Sequence, residues 1–179
     1  MRQLVFLIGL SLLCACNAAA QGLQGFHPEK RPWEIGVGYA FLRFYEVPHT
    51  TTNNNGFTFS GAYYIRKWVG ADTEFTDTFG TQAGERSQLL FTGGGPRFRS
   101  PTSKALQLWV HGLVGYSHFT PKTPYGSESA IGYEAGGGID VVSHHSRVAY
   151  RLAADMIGTR LFGTYQYSPK VSAGVVFRF

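Results

Sequence analysis

The chain has 179 residues, enough for one domain and little more, and carries a net charge of +5 with only 15% charged residues and an equal share of aromatic ones. Its Lys and Arg residues stand singly between apolar neighbours, with no basic run of the kind that tracks phosphates, so nucleic acid is excluded as a partner. The charged share lies well below the roughly 25–35% that suits a fully water-facing surface, and no low-complexity linker divides the chain.

The first residues read as an export signal. Arg2 is followed by an apolar run from Leu4 to Leu13, and Ala18-Ala19-Ala20 before Gln21 forms a small-x-small cleavage site. The run is shorter than the roughly 20 residues of a spanning helix. Lipoprotein processing at Cys16 stays open as a second reading, because Leu13-Cys14-Ala15-Cys16 loosely resembles a lipobox. Both cysteines lie in this leader, so a chain processed near Gln21 has no thiol for disulfides or cysteine-metal sites.

Period-two alternation begins at Trp33. Trp33, Ile35, Val37, Tyr39 and Phe41 are apolar, and Glu34, Gly36, Gly38 and Ala40 between them are polar or small, which predicts a strand. Val47 to Asn55 is expected to be a polar loop. Phe57, Phe59, Gly61, Tyr63 and Ile65 mark a second strand, and Arg66-Lys67 a tight connection. A third strand carries Val69, Ala71, Thr73, Phe75 and Phe79 on one face, with Asp77 as an exception on that face, and a longer loop is expected over Gly80 to Glu85.

The fourth strand, about Arg86 to Arg99, has Leu89 and Phe91 on the apolar face. Gly93-Gly94-Gly95-Pro96 then predicts a bulge or bend that shifts the phase, so that Phe98 takes over from them. After a turn at Ser100-Pro101-Thr102-Ser103, Leu106, Leu108, Val110, Val114 and Tyr116 alternate with a weaker polar face that includes Trp109 and Leu113. Thr120 to Glu128 reads as a long loop. Ile131, Tyr133, Ala135, Ile139 and Val141 mark the sixth strand, Ser143-His144-His145-Ser146 a tight turn, and Val148, Tyr150, Leu152, Ala154 and Met156 the seventh. Leu161 to Gln166 loops to a last strand that ends with Val171, Ala173, Val175, Phe177 and Phe179 in phase.

Eight strands joined by alternately long and short connections predict an all-β, eight-stranded antiparallel up-and-down barrel, with every long loop on one rim. Volume decides which face is inside. An eight-stranded barrel has an interior just wide enough for side chains or one small ligand. The Phe, Tyr, Leu, Ile and Val set would overfill it, whereas the Gly, Ala, Ser and Thr set fits, so the apolar face is expected to point outward. Trp33, Trp68, Phe98, Phe177 and Phe179 then gather towards the short-turn rim, and Phe41, Phe57, Phe79, Phe119 and Tyr167 towards the other, as two aromatic girdles.

With this pattern the chain resembles the small bacterial outer-membrane β-barrel proteins, the OmpA-like and OmpX-like eight-stranded transmembrane domains, over about Trp33 to Phe179. Ser172, Gly174, Phe177 and Phe179 match the polar-x-Gly-x-x-aromatic-x-Phe pattern that in those proteins is the assembly signal. The resemblance implies a signal peptide over 1–20, a periplasmic segment over 21–32, a transmembrane barrel over 33–179 and a place in the outer membrane. It also implies a monomer whose partners are outer-membrane lipids and, during biogenesis, the barrel assembly machinery and periplasmic chaperones.

On the assigned phase Glu34, Asp72, Glu74, Glu134, Asp140 and Asp155 enter the lumen with Arg97, Arg151, Lys170 and Arg178. Buried charges require partners. A paired network that occludes the barrel, with a structural or surface-interaction role, is the leading reading, and a polar constriction passing ions or small solutes is the alternative. A third reading is a lipid-modifying enzyme, which needs a serine, a base and a group that orients the base. Ser117 and His118 are adjacent and so point to opposite faces, and His111 is expected in the lumen within reach of Ser60 or Glu74, without triad spacing. No catalytic residue is assigned. No cofactor is expected, and His144-His145 reads as a solvated turn rather than a metal site. Tyr125, Phe162 and Tyr165 are candidate contact aromatics in the outer loops.

Overall fold

The computed structural model describes residues 32–46, 50–82, 85–102, 105–121, 126–142 and 147–179. The leader, the lipobox at Cys16, nearly all of the segment over 21–32, Tyr125 and the His144-His145 turn lie outside the described residues. Eight strands follow one another in the order β1 (Trp33–Glu46), β2 (Thr50–Tyr64), β3 (Val69–Gln82), β4 (Glu85–Arg99), β5 (Leu106–Pro121), β6 (Glu128–Val142), β7 (Val148–Thr159) and β8 (Gln166–Arg178). Each pairs antiparallel with its neighbour, and β8 returns to β1 to close the barrel. At the seam Trp33 and Phe179 exchange backbone bonds of 3.0 and 3.3 Å.

The register fixes the tilt. A circuit that leaves β1 at Leu42 steps through Lys170, Asp155, Gly136, His111, Arg97, Gly70 and Tyr64. It returns to β1 at Pro32, whose carbonyl accepts the Tyr64 N–H at 2.8 Å. The ladder therefore closes ten residues out of step, from 42 to 32, and a staggered closure of this kind requires strands inclined to the barrel axis by about 35–45°.

Side chains alternate strictly, as the pleat demands. Outward lie the apolar sets expected from the sequence, among them Ile131 (76% exposed), Tyr150 (67%) and Val114 (66%). Together they form an apolar belt, interrupted on β3 and β4 by Thr73, Asp77 and Thr92. Inward, the lower two thirds of the barrel, next to the rim that carries both ends of the sheet, hold charged and small residues. Towards the opposite rim the polarity inverts. There Leu42, Phe44, Leu89, Phe91, Leu113, Phe119, Ile157 and Leu161 point inward and pack into one buried cluster, while Asn53, Asn55, Arg43 and Ser129 are exposed on the outside.

This inversion corrects two sequence expectations. Leu89 and Phe91 are inward, only 2% and 1% exposed, and so is Phe119, which stacks on Phe44 inside the barrel (5.2 Å between centroids) rather than joining a girdle. β4 contains no phase shift. It stays in one register with β3 from Val69↔Phe98 to Gln82↔Glu85, straight through the glycines, so Phe98 is outward and Leu89 inward on a single alternation. What changes along β4 is which face carries the large apolar side chains, not its backbone phase.

The connections also differ from the expected alternation of long and short. Thr50 to Asn55 belongs to β2, paired with Phe41 to Glu46, and Tyr39 Oη donates to Asn55 Oδ1 across the two strands at 2.5 Å. β3 and β4 run to Gln82 and from Glu85, which leaves a two-residue gap, and β5 continues to Pro121. The polar segments read as loops are strand extensions above the belt, where β-branched Thr favours the extended backbone. Asp77 does point outward, as expected. It is only 8% exposed because Gln88 Nε2 donates to both its oxygens, at 2.8 and 2.9 Å.

Close approach of neighbouring strands rests on small residues at a few points. Gly93 and Gly115 face each other in register, and a Cβ on Gly115 would fall 1.9 Å from the Thr92 carbonyl oxygen. Backbone cannot yield as a side-chain tip can. Gly115→Ala should therefore lower the free energy of unfolding by roughly 1–3 kcal/mol, as measured by urea titration of the detergent-solubilised protein.

Candidate functional site

The chemistry of the molecule is concentrated in its interior. Alternation sends one residue in two inward, so the charged side chains of seven of the eight strands meet in one narrow space. Among the described residues, six carboxylates (Glu34, Asp72, Glu74, Glu134, Asp140 and Asp155) and five permanent cations (Arg97, Arg99, Arg151, Lys170 and Arg178) are buried there. All ten side chains assigned to the lumen from the sequence are brought together in it. Arg99 was not among them. Its shared parity with Arg97 on β4 was the signal available for it.

The layer nearest the β1–β8 termini is built on Glu34 and Asp140. Arg99 Nη1 and Arg151 Nη2 each donate to Glu34 at 3.0 Å. Arg151 also holds Asp140 in a two-point contact, 2.8 Å to each oxygen, the paired geometry that makes a guanidinium–carboxylate contact strong. Arg178 Nη2 donates to Asp140 and to Gln107, both at 2.8 Å. Trp109 Nε1 donates to Asp140 at 3.0 Å, and its ring lies between two guanidiniums, Arg97 at 3.9 Å and Arg151 at 4.7 Å. Arg99 covers Tyr64 at 3.5 Å. The aromatic faces thereby add cation–π attraction to the ion pairs.

The middle layer is centred on His111. Its Nδ1 lies 2.8 Å from Asp72 and its Nε2 3.2 Å from Asp155, and Arg97 Nη1 approaches Asp72 at 3.3 Å. Carboxylates only accept. Both ring nitrogens of His111 therefore face carboxylate acceptors. Glu74 comes within reach of His111, as expected from the sequence, but the hydrogen bonds of its two ring nitrogens go to Asp72 and Asp155.

Above it, the Lys170 ammonium bonds Glu74 and Glu134 and lies 3.3 Å from Asp155. Thr58 and Thr76 hydroxyls donate to Glu74 at 3.0 and 2.8 Å. Glu74, His111 and Glu134 offer possible ligand atoms within 4.8 Å of one another, but Lys170 already stands between the two glutamates, so the cation position is filled by the protein itself.

For nucleophilic catalysis the interior offers little. Ser117 Oγ is buried and has no hydrogen-bond partner among the described residues. Outside, Ser129 Oγ lies 2.8 Å from His118 Nδ1 and accepts from Tyr116 Oη at 2.6 Å, yet no carboxylate orients the His118 ring among the described residues, which is the role the third member of a triad fills. Of the candidate contact aromatics, Phe162 and Tyr165 are exposed at the outer rim. Phe162 adopts a left-handed backbone (φ 54°), held by a 2.6 Å bond from its N–H to Glu128. Ser172 faces inward, while Phe177 and Phe179 face outward.

No protein-family profile and no curated protein sequence matches the chain. Solved structures share its fold. Ail, the attachment invasion locus protein of Yersinia pestis, superposes with a TM-score of 0.58 at 19% identity over 83% of this chain and 100% of that one. Neisserial surface protein A gives 0.70 at 12% identity over 82% and 97%, and OprG of Pseudomonas aeruginosa 0.57 at 10% over 86% and 97%. At such identities the likeness is one of fold, and it bears out the closed eight-stranded barrel expected from the sequence.

Lys170 stands among three carboxylates, Glu74, Glu134 and Asp155. Lys170→Met should destabilise the protein by about 3–5 kcal/mol, the scale of leaving buried charge unpaired. Adding Glu74→Gln to that variant should recover part of the loss. A urea-unfolding double-mutant cycle reads the coupling, and strictly additive effects would contradict it.

Proposed function

We propose that the chain is an integral outer-membrane protein whose eight strands span the bilayer, with a lumen closed to ions and solutes and a structural or surface-interaction role. The observation that carries this reading is the apolar belt together with the inversion above it. An exposed apolar surface of this extent marks contact with lipid or protein rather than water. A belt that gives way on every side to an ordinary polar exterior is what a bilayer of finite thickness requires. On β1 the outward residues Trp33 to Phe41 make nine positions before Arg43, in line with the roughly 9–11 residues of a tilted spanning strand. Closure leaves no unpaired strand edge in hydrocarbon. One structure sharing the fold, Ail at 20% identity and a TM-score of 0.52, was determined in a phospholipid bilayer nanodisc.

Two features support a closed lumen. The ion-pair layers occupy the lower barrel, and the apolar cluster of Leu42, Phe44, Phe91 and Phe119 fills the upper one. A small cavity by Gly36, Ser60, Arg151 and Ser172, about 20 Å³ in volume, holds a water at most. A surface role fits the fold neighbours, one of which is an attachment invasion protein and another a surface protein. The same reading includes a monomeric state, insertion by the barrel assembly machinery with periplasmic chaperones through Ser172, Gly174, Phe177 and Phe179, and no catalytic activity.

Purified protein in planar lipid bilayers should give no discrete conductance steps. Reproducible steps would overturn the closed lumen in favour of the narrow pore, and release from membranes by carbonate without detergent would overturn the membrane assignment itself.

A further inference from the structure

Beside the apolar cluster, on the inner wall of β2 to β4, stands a polar patch with nothing to bond. Thr52 Oγ1, both amide atoms of Asn54 and Ser87 Oγ are buried without a hydrogen-bond partner among the described residues. All three side chains are at least nine-tenths buried, and Asn54 is completely so. Alternation turns them inward, since Asn53 and Asn55 are the exposed neighbours of Asn54, and Leu89 follows Ser87 on the inner face of β4. They are also contiguous. Ser87 is the register partner of Gly80 on β3, and a Cβ on Gly80 would run into the Asn54 amide, with Thr52 beside it. Glycine at position 80 thus gives the amide its room.

Such a patch costs stability, because a buried donor or acceptor left without a partner carries its full desolvation penalty. Apolar side chains fit the same layer. Leu42 is the register partner of Asn54 and Phe44 that of Thr52. The polar groups are neutral, and each side chain can both donate and accept, so the partner they suit is uncharged and brings donors and acceptors of its own. Next to them Phe44 and Phe119 stack at 5.2 Å, which supplies the apolar wall of a small-molecule pocket. The connection from β7 to β8 covers this pair. Leu161 is buried in the cluster, and Phe162 meets Phe119 edge-on at 5.9 Å. Phe162 is the only non-glycine residue with a left-handed backbone among the described residues (φ 54°), and Gly163 follows it at φ 72°. The Phe162 N–H donates to Glu128 at 2.6 Å, which ties the connection to β6. Lifting it withdraws Leu161 and Phe162 from the mouth and leaves space for one ring.

We propose that the upper mouth of the barrel is a binding pocket for a single uncharged sugar ring. Thr52, Asn54 and Ser87 bond its hydroxyls, the Phe44–Phe119 pair bounds its C–H side, and Leu161 with Phe162 closes over it. Vicinal hydroxyls present a donor and an acceptor side by side, the pattern that a free amide and two free hydroxyls complement. The pocket lies above the ion-pair layers, so it opens to the outside without opening the lumen below. This gives the surface-interaction role proposed above a chemical class of partner, and it rests on that reading.

The test uses the full-length protein in micelles of a sugar-free detergent. Saturation-transfer NMR reads binding of the methyl glycosides of glucose, galactose, mannose and N-acetylglucosamine, and urea unfolding is followed on the same samples. At least one glycoside should bind the wild type, and Asn54→Leu should weaken it by at least about tenfold, the scale of one lost hydrogen bond or more. The sugar-free Asn54→Leu protein should nevertheless unfold at a higher urea concentration than the wild type, because an apolar side chain replaces an unpartnered amide. An amide with a purely structural role would move the midpoint the other way. Thr52→Val/Ser87→Ala should show the same two effects and serves if Asn54→Leu does not fold. Arg86→Ala, which removes an exposed outward charge from β4, should change neither. No binding of any glycoside, undiminished binding in the patch variants, or a lowered urea midpoint in them would each overturn the pocket. Retention on immobilised glycans that end in the bound sugar marks a surface glycan as the source, and binding of the free glycoside alone marks a soluble sugar. A protein that binds no glycoside and stays silent in planar bilayers loses the pocket and keeps the closed barrel, whereas conductance steps beside intact sugar binding would do the reverse.

Discussion

Closing eight strands with a stagger of ten leaves a narrow interior, and the remaining features of the molecule follow from having so little room. Every inward position must be small, or must mesh with the side chain opposite. A Cβ on Gly138 would fall 2.7 Å from the Trp109 ring, and one on Gly36 would run into the Ser60 hydroxyl. Glycine therefore stands where an arginine or an indole needs space. The same confinement brings charged groups into contact, and the result is a stack of ion pairs in which His111 bridges Asp72 and Asp155.

Ion pairs of this kind are a poor means of gaining stability, because desolvating both partners offsets much of their attraction. Their value here is in register. A strand slipped by one residue exchanges its two faces, which would carry Glu34, Asp140 or Lys170 to the outside among Ile35, Val141 and Val171. Slipping by two keeps the face but separates Arg151 from Asp140, and those two are register partners on adjacent strands. Charges that bond across the barrel, such as Arg99 to Glu34 over a separation of 65 residues, admit one closure and penalise the others.

Strand number, order and the outward face were legible in the sequence because period-two alternation between large apolar and small residues is strong wherever one side of a strand meets an apolar medium. The ten lumen charges were legible for the same reason. What sequence reasoning missed lies at the upper rim. There Thr50 to Asn55 carries no large residue on either face, so a strand looked like a loop. Leu89, Phe91 and Phe119 looked like belt residues, because parity says that they share a face and hydrophobicity alone does not say which. Only the pairing of β4 with β3 and β5 resolves the question, by keeping Arg97, Leu89 and Phe91 on one alternation.

That ambiguity has a physical origin. A barrel in lipid has its apolar side out, and a barrel in water has it in; on the membrane reading proposed above, strands that pass from one medium to the other exchange the two along a single unbroken alternation. β4 shows the exchange most plainly, with Phe98 outward at one end and Leu89 and Phe91 inward at the other. The four glycine and proline residues between them mark the changeover, where neither face yet needs a large side chain. In a barrel of this kind, a run of small residues followed by hydrophobicity in the opposite phase need not signal a bulge, because the register with β3 runs through Gly93 to Pro96 unbroken while the large side chains change face.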